Sequence, residues 1–211
     1  MANKAKIKEE MVIPVMLGKD SFGENIVMDF AKAPQIMVAG NDATKATTEL
    51  KTMIESLSSH FSPEELRLVL FHPQKGVFDR YRGLPHLQTP VIHGPLKMIT
   101  ELRKTAIELD ERYSLLQEAF VKDIREYNEL KASSSAQLPY KILFIGELET
   151  LQTSRSWRRA EDYICHVAFL GRAVGIHIVM ATHCPVSTIP GTIRNLFQPA
   201  SLSAPDALKN K

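Results

Sequence analysis

The sequence is short of several features that would point elsewhere. It has only two cysteines, Cys165 and Cys184, in 211 residues. That excludes a disulfide framework and suits a reducing cytosol. No charge sign dominates: 26 lysines and arginines stand against 24 acids, a formal net charge of +2. The global field of a nucleic-acid coat protein or an acidic tail is thereby excluded, and any DNA contact has to be local. Long apolar runs are absent too. The longest, Val12 to Leu17 and Ile176 to Ala181, fall far short of the ~20 residues of a membrane helix, and the opening MANKAKIKEE holds no signal-peptide h-region. The expectation is a soluble, cytoplasmic segment without membrane contact of its own, whether alone or as the soluble part of a membrane-anchored parent. What is present is a 44% hydrophobic composition without repeats or low-complexity tracts, enough for one domain spanning 1–211.

Short apolar or β-branched runs alternate with longer stretches of helical period, the pattern of an α/β domain with a mostly parallel sheet. Strands are expected at Met11 to Met16, Asn25 to Asp29, Gln35 to Ala39, Leu66 to Phe71, Tyr140 to Ile145 and Ile176 to Ala181. IMVA, RLVLF and KILFI are almost wholly apolar, as strands covered on both faces are. From Leu96 to about Leu130 the apolar residues recur every three or four positions, which predicts one long helix. A second helix is expected to follow Thr47 or Thr48, and a third to cover roughly Ser156 to Arg172. Ser62-Pro63-Glu64-Glu65 reads as a capped short helical turn, and 132–138, with its serines, as a flexible loop.

The strand Gln35 to Ala39, followed by Gly40-Asn-Asp-Ala-Thr-Lys-Ala-Thr47 and then a helix, is the layout in which a loop wraps nucleotide phosphates at a helix N-terminus. A working loop needs a second glycine, a lysine and a hydroxyl at the places held here by Lys45, Ala46 and Thr47. Lys45 is one residue early, about 100° of rotation and about 1.5 Å of rise from the lysine's place. Gly40, Lys45, Thr47 and Thr48 are therefore the nucleotide-binding candidates of a degenerate loop.

LGKDSFGENIVMDFAKAPQIMVAG, FSPEELRLVLFHP, RYRGLPHLQTPVI, ELDERYSLL and GRAVGIHIVMATHCP, in this order, resemble the motor domain of the FtsK/SpoIIIE family from about Pro14 to Asn195. The resemblance implies a RecA-like P-loop NTPase fold, ATP and Mg²⁺ as cofactors, hexameric rings around double-stranded DNA, and a part in chromosome segregation or secretion. It also implies a motor cut short near Lys211. The charged positions depart from the family pattern. Ala46 stands at the loop lysine, Gly146 at the aspartate of the Asp-Glu pair, His183 and Cys184 at the glutamine and arginine after Thr182, and His72-Pro73-Gln74 at Asp-Pro-Lys. Glu147 is then the candidate catalytic carboxylate and Thr182 a candidate sensor. Because such groups act together in phosphoryl transfer, the expected function is a catalytically degenerate motor domain, a pseudo-ATPase that serves a DNA-translocation or secretion assembly structurally or as a regulator. ATP and Mg²⁺ are its cofactors only if the site still functions.

The rivals are an active ATP-dependent double-stranded DNA translocase with an unconventional phosphate loop, and a nucleic-acid-binding module without nucleotide chemistry. The latter rests on Arg155, Arg158 and Arg159 around Trp157. A ring-forming homo- or hetero-oligomer is the expected assembly. No metal site is expected, since the adjacent pairs Cys165-His166 and His183-Cys184 should point their side chains apart. Restoring the family residues with Lys45→Gly, Ala46→Lys and Gly146→Asp is expected to bring back Mg·ATP affinity.

Overall fold

The computed structural model describes residues 11–19, 22–33, 35–39, 42–133 and 136–199. Strands β1 (Pro14–Lys19) and β2 (Asn25–Asp29) form a small antiparallel hairpin. The first strand starts three residues later than expected. The Asp29 carboxylate takes the N–H groups of Val12 (3.2 Å) and Ile13 (2.9 Å), so those residues lead into the hairpin instead of joining its ladder.

The main sheet has five strands, β3 (Gln35–Ala39), β4 (Leu66–Phe71), β5 (Tyr140–Ile145), β6 (Ile176–Thr182) and β7 (Gln198–Pro199), in the order β4-β5-β6-β3-β7 with every pairing parallel. Alternation decides the two faces. Ile36, Val38, Leu68, Leu70, Ile142, Phe144 and Val179 pack with Leu50, Met53, Ile54 and Leu57 of α1 (Ala43–His60) and with the hairpin. Met37, Val69, Phe71, Leu143, Ile145, Ile178 and Met180 pack with α2 (Pro95–Glu118) and α5 (Trp157–Leu170). Both faces are covered, which is why the strands read as unbroken apolar runs. Buried polar residues interrupt them at Gln35, Lys141, His177 and Thr182, of which Lys141 is the charged one. Lys141 in β5 is 1% exposed and reaches Glu108 (2.8 Å) and Glu101 (3.7 Å) on α2, while Arg112 also binds Glu108 (2.8 Å).

The single long helix expected from Leu96 to Leu130 is two. α2 ends at Glu118 and α3 spans Ile124–Leu130. Phe120 has φ +54°, its N–H bonds Gln117 O (3.1 Å), and the Val121 N–H bonds Leu116 O (3.1 Å). This is a complete Schellman stop. Asp123 then caps α3, accepting from the backbone N–H groups of Arg125 and Glu126. The expected helical turn at Ser62 to Glu65 is a single turn, with the N–H groups of Glu65 (3.1 Å) and Leu66 (3.0 Å) bonded to Ser62 O and the Ser62 N–H bonded to the Glu65 carboxylate at 2.8 Å. Asn128 holds Leu138 through both backbone groups at 2.8 Å, next to the segment read as a loop. α4 (Leu148–Gln152) and α6 (Gly191–Arg194) are the remaining α-helices among the described residues.

β3 passes the chain to β4 at one edge, whereas β6 passes it across β3 to β7. Connections leaving two adjacent strands in opposite directions open a crevice at their C-terminal ends, where α/β sheets of this kind bind ligands.

Candidate functional site at the C-terminal edge of the sheet

Three segments meet at that edge, after β3, after β4 and β5, and after β6. Beyond β3, Gly40 lies outside the described residues. The helix expected to follow a cap at Thr47 or Thr48 begins at Ala43. Asp42 is its cap, with Oδ1 accepting from Thr44 N (2.8 Å) and Lys45 N (3.2 Å), and the Ala46 N–H bonds Asp42 O at 3.1 Å. A carboxylate here satisfies both the free donors and the positive end of the helix. Lys45 and Thr48 are exposed, Thr47 is half-buried, and Ala46 is 5% exposed within the apolar cluster. The Thr48 hydroxyl donates back to Thr44 O at 2.8 Å.

At the ends of β4 and β5, His72 and Gly146 are in contact. Gly146 donates its N–H to Phe71 O (2.8 Å). A Cβ on Gly146 would lie 2.5 Å from His72 Cδ2 and 3.0 Å from Phe71 O. The His72 ring is 3% exposed, meets Phe78 edge-on at 5.4 Å, and accepts from Gln74 N at Nδ1 (3.2 Å). Burial pushes its pKa below the ordinary 6.5, outweighing the raising influence of Glu147. Glu147 itself is half-buried and accepts from the Thr150 hydroxyl at 2.8 Å.

After β6 the centre is Glu149, in the first turn of α4. Its Oε1 accepts from the Thr182 hydroxyl and from the backbone N–H groups of His183 (2.9 Å) and Cys184 (3.0 Å). Burial opposes the charge on this carboxylate, but the Thr182, Cys184 and His183 contacts outweigh it and hold the pKa below the ordinary carboxylate value. The Cys184 thiol is pushed up, by burial first and then by Glu149. His183 and Cys184 were expected to point apart. The turn that follows β6 brings both back to Glu149, and the three donor atoms lie within 4.8 Å of one another.

Residues 1–199 match the FtsK/SpoIIIE family. The chain is 36% identical to the DNA translocase FtsK of Helicobacter pylori over 189 residues, covering 89% of this chain and 22% of that protein. It is 35% identical to the DNA translocase FtsK of Campylobacter jejuni over 184 residues, 86% of this chain and 19% of that protein. The chain belongs to the FtsK/SpoIIIE family. It spans about a fifth of the length of these relatives. Its RecA-like P-loop ATPase fold recurs in the pCW3 conjugation coupling protein TcpA in its monomer form with ATPγS (TM-score 0.75, 24% identity, 95% of this chain and 56% of that one). It recurs also in ATPases 2 and 3 of Thermomonospora curvata EccC in complex with a signal sequence peptide (TM-score 0.77, 21% identity, 90% and 36%).

Against this family frame, Arg155, Arg158 and Arg159 are exposed at and just before the start of α5, while Trp157 is half-buried against the core. Because α5 runs back from the C-terminal end of β5 to the start of β6, its first turn lies at the same sheet edge as Asp42 and Glu149. No helix among the described residues is long and apolar enough to cross a membrane. Sequence reasoning passed over Asp42 and Glu149. An aspartate just before Ala-Thr-Lys-Ala is a helix-start signal and was there to be read. Nothing local in Glu-Leu-Glu-Thr distinguishes the second glutamate from the first.

Proposed function

We propose that this FtsK/SpoIIIE-type motor domain works without nucleotide turnover, as a structural or regulatory subunit of a ring-forming DNA-translocation or secretion assembly on the cytoplasmic side. The observation that carries the reading is the start of α1. Residues 43–47, which a phosphate loop would hold as an open cradle, are helical, and the N–H groups of Thr44, Lys45 and Ala46 are bonded to Asp42. A phosphate would have to displace a carboxylate of its own charge sign and unwind a turn.

The residues do not fit Mg·ATP in two further respects. No lysine stands at Ala46, and the place for an acid after β5 is closed by His72 against Gly146. The restoring substitutions Lys45→Gly, Ala46→Lys and Gly146→Asp meet an obstacle at the third position. The aspartate would collide with His72 and the Phe71 carbonyl, so the triple variant gains no metal hold unless position 72 is reduced as well. DNA contact through Arg155, Arg158 and Arg159 is compatible with this role, since their exposure at the same edge leaves them free to meet phosphates.

The test is turnover. Purified chain with Mg·ATP, with and without duplex DNA, should release phosphate at background rate. Stimulated turnover of ~1 s⁻¹ or more, an ordinary enzyme rate, abolished by Glu147→Gln, would establish an active translocase site instead.

A further inference from the structure

We propose that Glu149, His183 and Cys184 form a binding site for a single transition-metal cation of the zinc class. None of the three residues lies in the phosphate-loop segment, although His183 and Cys184 follow the candidate sensor Thr182, which Glu149 also binds.

The donor set is one carboxylate oxygen, one imidazole nitrogen and one thiolate sulfur. That mixture suits Zn²⁺ or Co²⁺, whereas Mg²⁺ and Ca²⁺ prefer all-oxygen shells. The three atoms already lie within 4.8 Å of one another. Tetrahedral ligands about 2.0–2.3 Å from zinc sit roughly 3.5 Å apart, so closing the site takes about 1 Å of side-chain movement. His183 is exposed and Cys184 half-buried, so both can make that movement without disturbing the core.

The two oxygens of Glu149 divide the labour. Oε1 is saturated by the Thr182 hydroxyl and two backbone N–H groups, which fixes the carboxylate and holds the turn carrying the other two ligands against it. Oε2 is buried and has no hydrogen bond among the described residues; it faces His183 Nδ1 at 3.7 Å. A ligating carboxylate that is itself oriented by hydrogen bonds is the usual support of a metal centre. The cation would join α4 to the end of β6, leaving its fourth position to water.

The test uses the full chain, metal-free and thiol-reduced, titrated with Co²⁺ and followed by visible absorption. The expected result is saturation at one equivalent, with a thiolate-to-cobalt charge-transfer band that Zn²⁺ displaces, and a rise in melting temperature with Zn²⁺. Cys184→Ser should remove the band, and His183→Ala should weaken Co²⁺ binding by more than about tenfold. Cys165→Ser should change neither. Absence of saturable binding overturns the site, as does binding that survives Cys184→Ser and His183→Ala unchanged or that is lost with Cys165→Ser.

Discussion

A Cβ at residue 146 would lie 2.5 Å from His72 Cδ2, closer than packed carbon atoms approach, and the neighbouring Phe71 carbonyl leaves no retreat. Gly146→Ala should therefore destabilise the fold by about 1–3 kcal/mol, the usual range for overpacking a filled core. His72→Ala should remove much of that penalty, which a double-mutant cycle in denaturant reads as a coupling of about 1 kcal/mol or more. The same histidine gives the molecule a pH dependence. Its folded pKa lies below the ordinary 6.5, so the unfolded chain binds the proton more readily. The stability it contributes is whole above 6.5 and is lost as pH falls below that value. The depressed carboxyls of Glu108 and Glu149 act only below the ordinary carboxylate range. Unfolding free energies between about pH 7 and pH 5 should slope less steeply in His72→Gln than in the parent.

Among the elements, the stop after α2 is the clearest case of a local residue working against its conformation. Phe120 holds φ +54° and is 97% exposed, so its ring contributes nothing to the core while its backbone occupies a region that costs a side-chain-bearing residue about 1–2 kcal/mol. Phe120→Gly should raise stability by about 1 kcal/mol, measured as a shifted denaturation midpoint with unchanged slope. Unchanged or lower stability would show that the ring is held by something the helix end does not reveal. The same residue explains why the periodicity from Leu96 to Leu130 promised one helix. Phe120 falls in step with Leu109, Tyr113 and Leu116, and hydrophobic period cannot tell a core position from a left-handed stop. The strands were legible because burial on both faces leaves an apolar run whatever the topology. β7, two residues long, left no such run. Lys141 hid inside KILFI because its partners Glu101 and Glu108 are more than thirty residues away in sequence and share only α2.

At the scale of the whole molecule, sheet order and crevice follow the family, and the sequence carried that much through its motif order. The chemistry at the crevice was legible only as substitutions. The helix start at Ala43 and the hold of Asp42 on its donors are local, carried by the aspartate itself, whereas the filling of the place beside Gly146 by His72 is a packing outcome, set by a contact between residues over seventy apart. Together they describe an edge filled by its own side chains on a RecA-like scaffold. Calorimetric titration of the purified chain with Mg·ATPγS addresses this account most directly, since binding comes before any turnover. The account predicts no saturable heat at millimolar nucleotide and no change in melting temperature. Saturable one-site binding with micromolar Kd, lost on Thr47→Ala, would contradict it.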